Sequence, residues 1–379
     1  MKVHVRTTGI TRFGKRTEEL VELLAEAGTA AIEPLGRKPV DLLIVGSMAA
    51  DVLGGTGNLV ARLSDLLGLE SVAGYRIESA SASGAAAVHA AAVAVASGSY
   101  HRVLVVAGEK MTGRPTADVA AALARSLAPT ESRIGATMPA LAAIVAQRYL
   151  GRYALSEEAL DLVSVQARAA ASRNPNAQFQ APVTPEEVRA SRPIALPLRL
   201  LHCSAVSDGA AAVVLEHGNG PVEISGLGQS VDQLSIVDRP DLTTFRATRV
   251  AAQRAFESAR IGPKSVSFAE VHDAFAPFAL IDLEDLGFCD PGQAPGWFRT
   301  GATRPEGRFP VNVSGGLLGR GHPVGASGIV QIAEVARQLA GEAGPMQLPQ
   351  PPTVGIAQSI GGLGSHNFVT LLSRGRSSG

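Results

Sequence analysis

Two kinds of apolar pattern alternate along the chain. Short continuous runs rich in Val, Ile, Leu and Ala fall at Asp41–Val45, Val103–Ala107, Ala211–Leu215 and Val222–Ser225, and return at Ser267–His272, Thr353–Ile356 and Asn367–Leu372. Runs this short, with little polar alternation, predict strands buried on both faces. Between them, Ala-rich or amphipathic stretches over Thr17–Ala31, Gly84–Ala96, Pro139–Tyr149, Ser156–Arg173, Thr248–Ala259 and Ser327–Ala340 predict helices. The alternation predicts an α/β fold in which sheets are covered by helices. The pattern is also written twice. "SASG" at Ser81–Gly84 and "GASG" at Gly325–Gly328 each lead into a helix through small residues, which predicts duplicated α/β halves over residues 1–220 and 221–379. From about residue 112 to 200 the first half is interrupted by helices and Pro-bearing extended pieces such as "NPNAQFQAPVTPEEV". Inserted regions of this sort on an α/β scaffold commonly carry substrate contacts.

Composition narrows the class of partner. A chain of 379 residues can bury a large interior, and its 4% aromatic content leaves aliphatic packing to fill it. Formal net charge is zero and the basic residues are scattered, so neither nucleic acid nor an anionic membrane surface is an expected partner. No apolar stretch reaches the length of a membrane span. The opening "MKVHVRTTGITRFGK" has no signal-peptide core, and the tail "RGRSSG" carries no peroxisomal or lipidation signal, so a cytoplasmic enzyme is expected. Cys203 and Cys289 are too few and too far apart for a disulfide framework or a zinc pattern, and no metal is expected.

Three stretches, two of them glycine loops, could carry chemistry. "VNVSGGLLGRGHPVGASG" at Val311–Gly328 surrounds His322 with six glycines, which lets the backbone turn tightly and present an imidazole as a base. "VHDAF" at Val271–Phe275 puts His272 at the end of a predicted strand, where α/β sheets bind ligands. "SIGGLGS" at Ser359–Ser365 could aim backbone N–H groups at a developing oxyanion. Each stretch taken alone reads equally as a turn or a structural histidine.

Together with "GITRFGK" at 9–15, "VASGSYHRVLVVAGEKMT" at 95–112, "NPNAQF" at 174–179, "PLRLLHCSAVSDGAAAVVL" at 197–215 and "EDLGFCDPG" at 284–292, these stretches identify a strong resemblance to the thiolase superfamily. It is nearest to the thiolase domain of sterol carrier protein x and its bacterial and archaeal relatives. The resemblance implies the thiolase fold, with two duplicated halves in αβαβα layers plus a loop domain. It implies a coenzyme A thioester as substrate, no tightly bound cofactor, a homodimer, and a small OB-fold protein as a candidate partner. It puts His322 in the place of the histidine that activates the nucleophile, and His272 in the place of an oxyanion-holding side chain. Gly361 would supply a backbone N–H to an oxyanion hole. Ser327 and Gly328 would contact substrate.

The family nucleophile is a cysteine in an "A-C-A-S-G"-like turn, and Ser81 stands at that position here. Ser83 matches the serine that the family already has, and Ser79 is an ordinary neighbour. Serine ionises far less readily than cysteine and needs a base, for which His322 is the candidate. The positions where many thiolases carry a second cysteine are Ser359 and Ala274, so Ser359 replaces an acid/base that moves the α-carbon proton. Cys203 and Cys289 lie away from the catalytic loops by resemblance and are read as packed residues. "VQAR" at Val165–Arg168 and His202 also depart from the family pattern and bear on substrate recognition. Three readings follow. The first is a thiolase-type acyl-CoA C-acyltransferase doing Claisen or thiolytic chemistry, the second a retro-aldol lyase on a β-hydroxyacyl-CoA, and the third a non-catalytic subunit that binds acyl-CoA or scaffolds a partner.

Overall fold

The structure is a computed structural model that describes residues 2–36, 38–55 and 57–375; the last four residues of the tail lie outside it. The first half runs β1 (Val3–Ile10), α1 (Leu20–Ile32), β2 (Leu42–Gly46), α2 (Leu59–Leu67), β3 (Ala73–Ile77), α3 (Ser83–Ala96) and β4 (Arg102–Glu109). The interruption follows, with α4 (Thr116–Ala124), α5 (Pro129–Arg133), α6 (Met138–Arg152), α7 (Glu158–Ala171), α8 (Pro185–Ala190) and a two-stranded ribbon of β5 (Pro193–Ala195) and β6 (Leu198–Arg199). β7 (Gly209–His217) returns to the sheet. The second half comprises β8 (Val222–Val231), α9 (Arg246–Ala259), β9 (Phe268–Glu270), α10 (Ala276–Asp285), α11 (Ala294–Arg299), α12 (Ser327–Ala340), β10 (Val354–Gly361) and β11 (His366–Arg374).

The strands order as β3-β2-β4-β7-β1-β8-β11-β10-β9. Only two residue pairs, His4 with Glu223 and Val5 with Val222, join β1 to β8, so two sheets meet at one edge. On each side the wiring is the same. β2 runs parallel to β4, which is antiparallel to β7; β9 runs parallel to β10, which is antiparallel to β11. The lone parallel bridge of Val311 to Ala269 takes the place that β3 has beside β2.

Side-chain alternation builds the layers. Along β2, Leu43 and Val45 pack with α1, whereas Leu42 and Ile44 pack with α3. Along β7, Ala212 and Val214 face the first group and Val213 and Leu215 the second. Both faces of the sheet are thus buried, as the apolar runs predict. α3 and α12 share the apolar core with strands of both sheets; α3 is accordingly apolar on nearly every side, whereas α12 also buries the polar Gln331, Glu334 and Gln338. The order outward is helix, sheet, paired helices, sheet, helix, the expected αβαβα stack. No described helix is long and apolar enough to cross a membrane.

The central pair meets through two glycines. A methyl group on Gly84 would sit 2.8 Å from the Gly325 carbonyl oxygen, and one on Gly328 would sit 2.7 Å from both the amide and the Cβ of Ala85. Nothing larger than hydrogen fits at either point. This is the physical content of the repeated "SASG" and "GASG": the first turns of α3 and α12 touch each other.

Candidate active site

Immediately before α3 the chain turns sharply at Ala80, whose φ of 50° lies in the left-handed region that β-carbons disfavour. Hydrogen bonds hold that turn. Ser83 Oγ accepts from the Ser79 amide at 2.9 Å and donates to the Ala80 carbonyl at 2.6 Å. The Ala82 and Ser83 amides close onto the carbonyls of Ser79 and Ala80 at 3.0 and 3.1 Å. Glu78 Oε1 accepts from the Ala80 amide at 2.6 Å. The three serines therefore differ in kind. Ser83 is buried and pins the turn; Ser79 Oγ lies 2.5 Å from His366 Nδ1; Ser81, half-buried, has no side-chain hydrogen bond among the described residues. Ser79, expected to be an ordinary neighbour, is the one serine of the three that touches an imidazole.

His322 and His272 come from loops far apart in sequence and meet edge to face, with ring centroids 5.2 Å apart. The His322 loop begins with a π-helical turn over Gly316–Arg320, and Gly321 then adopts a φ of 111°, a conformation that glycine takes freely. Ser327 Oγ lies 2.7 Å from His322 Nδ1, which fixes the ring from the first turn of α12. The His322 amide donates to Ser207 Oγ at 3.0 Å and the His272 amide to Gln358 Oε1 at 2.9 Å. His272 Nδ1 and Ser359 Oγ are buried without a hydrogen-bond partner.

The electrostatics keep this imidazole pair uncharged. Burial, then the positive charge of Arg320, pushes His322 down to about 3. Burial, then His322 and Arg320, holds His272 well below the usual histidine range. Arg320 is itself fully buried, donating to Ser314 Oγ at 2.6 Å and lying 3.6 Å from Glu270. A neutral imidazole keeps a lone pair for a proton, the first requirement of a general base, while the burial that keeps it neutral also weakens it as a base until negative charge develops beside it.

The expected site residues divide into two groups. Gly361 lies against the serine turn: a methyl group on it would sit 2.6 Å from the Ser79 carbonyl oxygen and 3.5 Å from Ala82 Cβ. Ser359 lies against Gly328, whose added methyl group would be 2.8 Å from the serine hydroxyl. Ser327 and Gly328, expected to contact substrate, are buried in the helix pair, Ser327 holding His322 and Gly328 giving room to α3. Cys203 lies nearer the histidine loops than expected. Its segment runs between both histidine loops, with backbone bridges from Cys203 to Phe275 and from Val206 to His322. Its thiol nevertheless points to the Arg199 carbonyl at 3.5 Å, and burial pushes it up to about 12, so it is no nucleophile. His202 is fully buried, 2.9 Å from Asp161, and ties the ribbon region to α7. It packs the inserted region.

Sequence reasoning missed His366 and Arg320. His366 follows the third glycine loop within "GSHNF", and Arg320 sits inside the quoted "GRGHP"; a charged residue in a glycine loop is the signal that was available for the second. Two cavities of about 760 and 740 Å³ flank the Ser79–His366 contact. A third, of about 730 Å³, is lined by Arg148, Arg152 and Arg239. Among the described residues no cluster of His, Cys, Asp and Glu could hold a metal ion.

Known proteins match the chain along nearly its whole length. The pattern "Thiolase, N-terminal domain" fits residues 3–194 and "Thiolase C-terminal domain-like" fits 228–374. The chain is 40% identical to the acetyl-CoA acetyltransferase of Methanothermobacter thermautotrophicus over 377 residues, spanning 96% of this chain and 97% of that one. It is 32% identical to the 17-hydroxy-3-oxo-4-pregnene-20-carboxyl-CoA lyase of Mycobacterium tuberculosis over 354 residues, 88% and 90% of the two chains. A solved Ltp2-ChsH2(DUF35) aldolase superposes with a TM-score of 0.86 at 26% identity, covering 99% of this chain and 98% of that one.

Proposed function

The chain belongs to the thiolase family, and from that premise we propose that it makes or breaks a carbon–carbon bond in an acyl-CoA thioester, as an acyl-CoA C-acyltransferase with serine at the nucleophile's place. The observation that carries this is the convergence of the Ser81 turn, the neutral pair His322 and His272, and Gly361 around the first turns of α3 and α12. In this reading the thioester carbonyl oxygen lies between His272 and the Gly361 amide, where donors stabilise the developing oxyanion. His322, held by Ser327, takes the proton from Ser81 as its oxygen attacks the carbonyl carbon, and returns it to the departing thiolate.

The substrate's α-carbon proton has one base within this set. Ser359 stands where an acid/base cysteine is expected, and a neutral hydroxyl takes up a carbon-bound proton poorly, so His322 serves both steps. Return of an acyl group from a serine ester to coenzyme A is uphill. Condensation or hydrolytic release is therefore favoured over thiolysis.

Retro-aldol cleavage of a β-hydroxyacyl-CoA is the second reading, and two observations favour it. Ser81 has no hydrogen bond to either histidine, and the structural likeness to an aldolase is high. That reaction needs His322 and the oxyanion donors but no acyl-enzyme. The name of that aldolase joins two components, which supports a small partner subunit here. A homodimer is supported by β3, an edge strand of the sheet with an exposed face, and by Val93 of α3, which is 64% exposed. The cytoplasm is the proposed location.

Intact-protein mass after incubation with a panel of acyl-CoAs separates the two readings. A mass gain equal to the acyl group, lost in Ser81→Ala, supports acyl transfer. Cleavage of a β-hydroxyacyl-CoA without any mass gain, retained in Ser81→Ala and lost in His322→Ala, supports the lyase.

A further inference from the structure

We propose that Ser79 and His366 form a second nucleophile and base, separate from Ser81 and His322, that transfers short apolar acyl groups from esters or thioesters to water. The contact itself is the starting point. Ser79 Oγ lies 2.5 Å from His366 Nδ1, and this is the hydroxyl's one hydrogen bond among the described residues. Such a contact is the geometry by which an imidazole activates a serine.

The surroundings fix both partners. Ser79 precedes the left-handed Ala80, its amide is held by Ser83 Oγ, and its carbonyl is pressed against Gly361, so the turn has no freedom to swing away. His366 opens β11 opposite Gly361 at the end of β10, and its ring packs on Phe368 with centroids 4.6 Å apart. Burial lowers the histidine, with Glu78 opposing, which leaves it neutral and able to accept a proton. A serine that only capped a turn would need no imidazole, and the turn is already capped by Ser83.

The site opens onto a cavity of about 760 Å³ whose lining includes Ser79 and His366. Met48, Val52, Ala122, Val231 and Leu234 give that cavity an apolar wall suited to an acyl chain. Its charged residues are Arg76 and Arg125 with Asp51, Glu78 and Asp232, so no excess of positive charge selects an anionic substrate.

The step balances as follows. Ser79 Oγ bonds to the acyl carbon while its proton passes to His366 Nδ1. The bond from acyl carbon to the alkoxide or thiolate breaks, and the leaving group takes the proton from the imidazolium. Water then attacks the serine ester, gives its proton through His366 to Ser79, and leaves the free acid.

The test uses the whole chain with p-nitrophenyl acetate as substrate and a fluorophosphonate as covalent label. We expect hydrolysis above the buffer rate and an adduct on Ser79, placed by fragmentation of its peptide. Ser79→Ala should lose that adduct and the hydrolysis it carries; His366→Asn should slow hydrolysis about a hundredfold, the usual contribution of a positioned base; the exposed Ser97→Ala should keep both. No adduct on Ser79, or hydrolysis unchanged in Ser79→Ala, overturns the proposal. Labelling of the unsubstituted chain decides the matter even if Ser79→Ala fails to fold. An acyl group taken from acyl-CoA onto Ser81 supports the acyl-transfer reading whether or not Ser79 is labelled, so the two fail separately.

Discussion

Ser81→Cys asks which of two opposing effects governs the turn before α3. Burial raises a thiol, as it does for Cys203 and Cys289, both pushed up to about 12. The N-terminal end of a helix lowers it, by about 0.3–1 kcal/mol when exposed and up to about 2 when partly buried. At about 1.36 kcal/mol per pKa unit this is roughly 0.2–1.5 units, and a shift of about 0.5 unit below the free value of about 8.5 lies well within that range. Residue 81 has the same intermediate exposure as Cys203 and Cys289, so what sets it apart is its place directly before the Ala82 cap of α3, where the helix end is taken to outweigh burial. No imidazolium adds to it, because burial and Arg320 keep His322 neutral. Near pH 7 such a cysteine would be roughly a tenth ionised, against about one part in 10⁵ for a thiol at 12. The less basic thiolate is the weaker nucleophile, by nearly a hundredfold for a Brønsted slope of about 0.45. The net expectation is reaction with an aryl disulfide on the order of a hundredfold faster than either native thiol. Absorbance of the released aryl thiolate, followed between pH 6 and 10 with the unsubstituted chain as background, measures it. A rate midpoint above pH 9, or no fast phase, would refute the reasoning.

Ser83→Ala removes both hydrogen bonds that pin the turn and leaves the Ser79 amide without its partner, so it should cost about 2 kcal/mol in urea unfolding. The exposed Ser97→Ala should cost almost nothing, and equal costs would count against the turn's role. Ser327→Ala should lower kcat by roughly tenfold through loss of one hydrogen bond to His322, and Ser327→Thr should restore most of it. His89 is pushed down to about 3 by burial. Its folded value lies below its unfolded one, so its stabilisation is full above about pH 6.5 and is lost as pH falls towards 3; His89→Met should therefore spare about 2 kcal/mol of the loss between pH 7 and 5, and equal losses in urea midpoints would sink that assignment.

How far the fold is legible in the sequence depends on where each element sits. β2, β4 and β7 are buried on both faces and read as plain aliphatic runs. β1 lies in mid-sheet yet reads "VHVRTTGI", because Thr7 bonds the Ala31 carbonyl and His4 is buried near the seam between the sheets. Such polar positions hide a strand from any pattern of apolar residues. β3 is hidden for the opposite reason, being an edge strand that is mostly exposed. α10, "APFALIDLED", is buried on all sides at its start and so shows no amphipathic stripe. In the site, His322 was legible because a glycine loop announces it, and His272 because it ends an apolar run. The Ser79–His366 contact spans 287 positions and exists only because the β10–β11 hairpin returns His366 to the level of Gly361.

The duplication explains why the site lies where it does. Either half alone would present one helix N-terminus, one glycine loop and an unpaired apolar face on α3 or α12. Joined, the halves bury that face, and the contact of Gly84 with Gly325 brings the Ser81 turn of the first half beside the His322 loop of the second. The same packing sets the charge of the site, since Arg320 and both imidazoles are buried by it. Chemistry and stability therefore share residues here. Glycines that a motif search reads as a flexible loop are, at Gly84 and Gly328, the points of closest approach between two rigid helices, with the carbonyl of Gly325 just ahead of α12 seated against Gly84, and the base is placed by this contact.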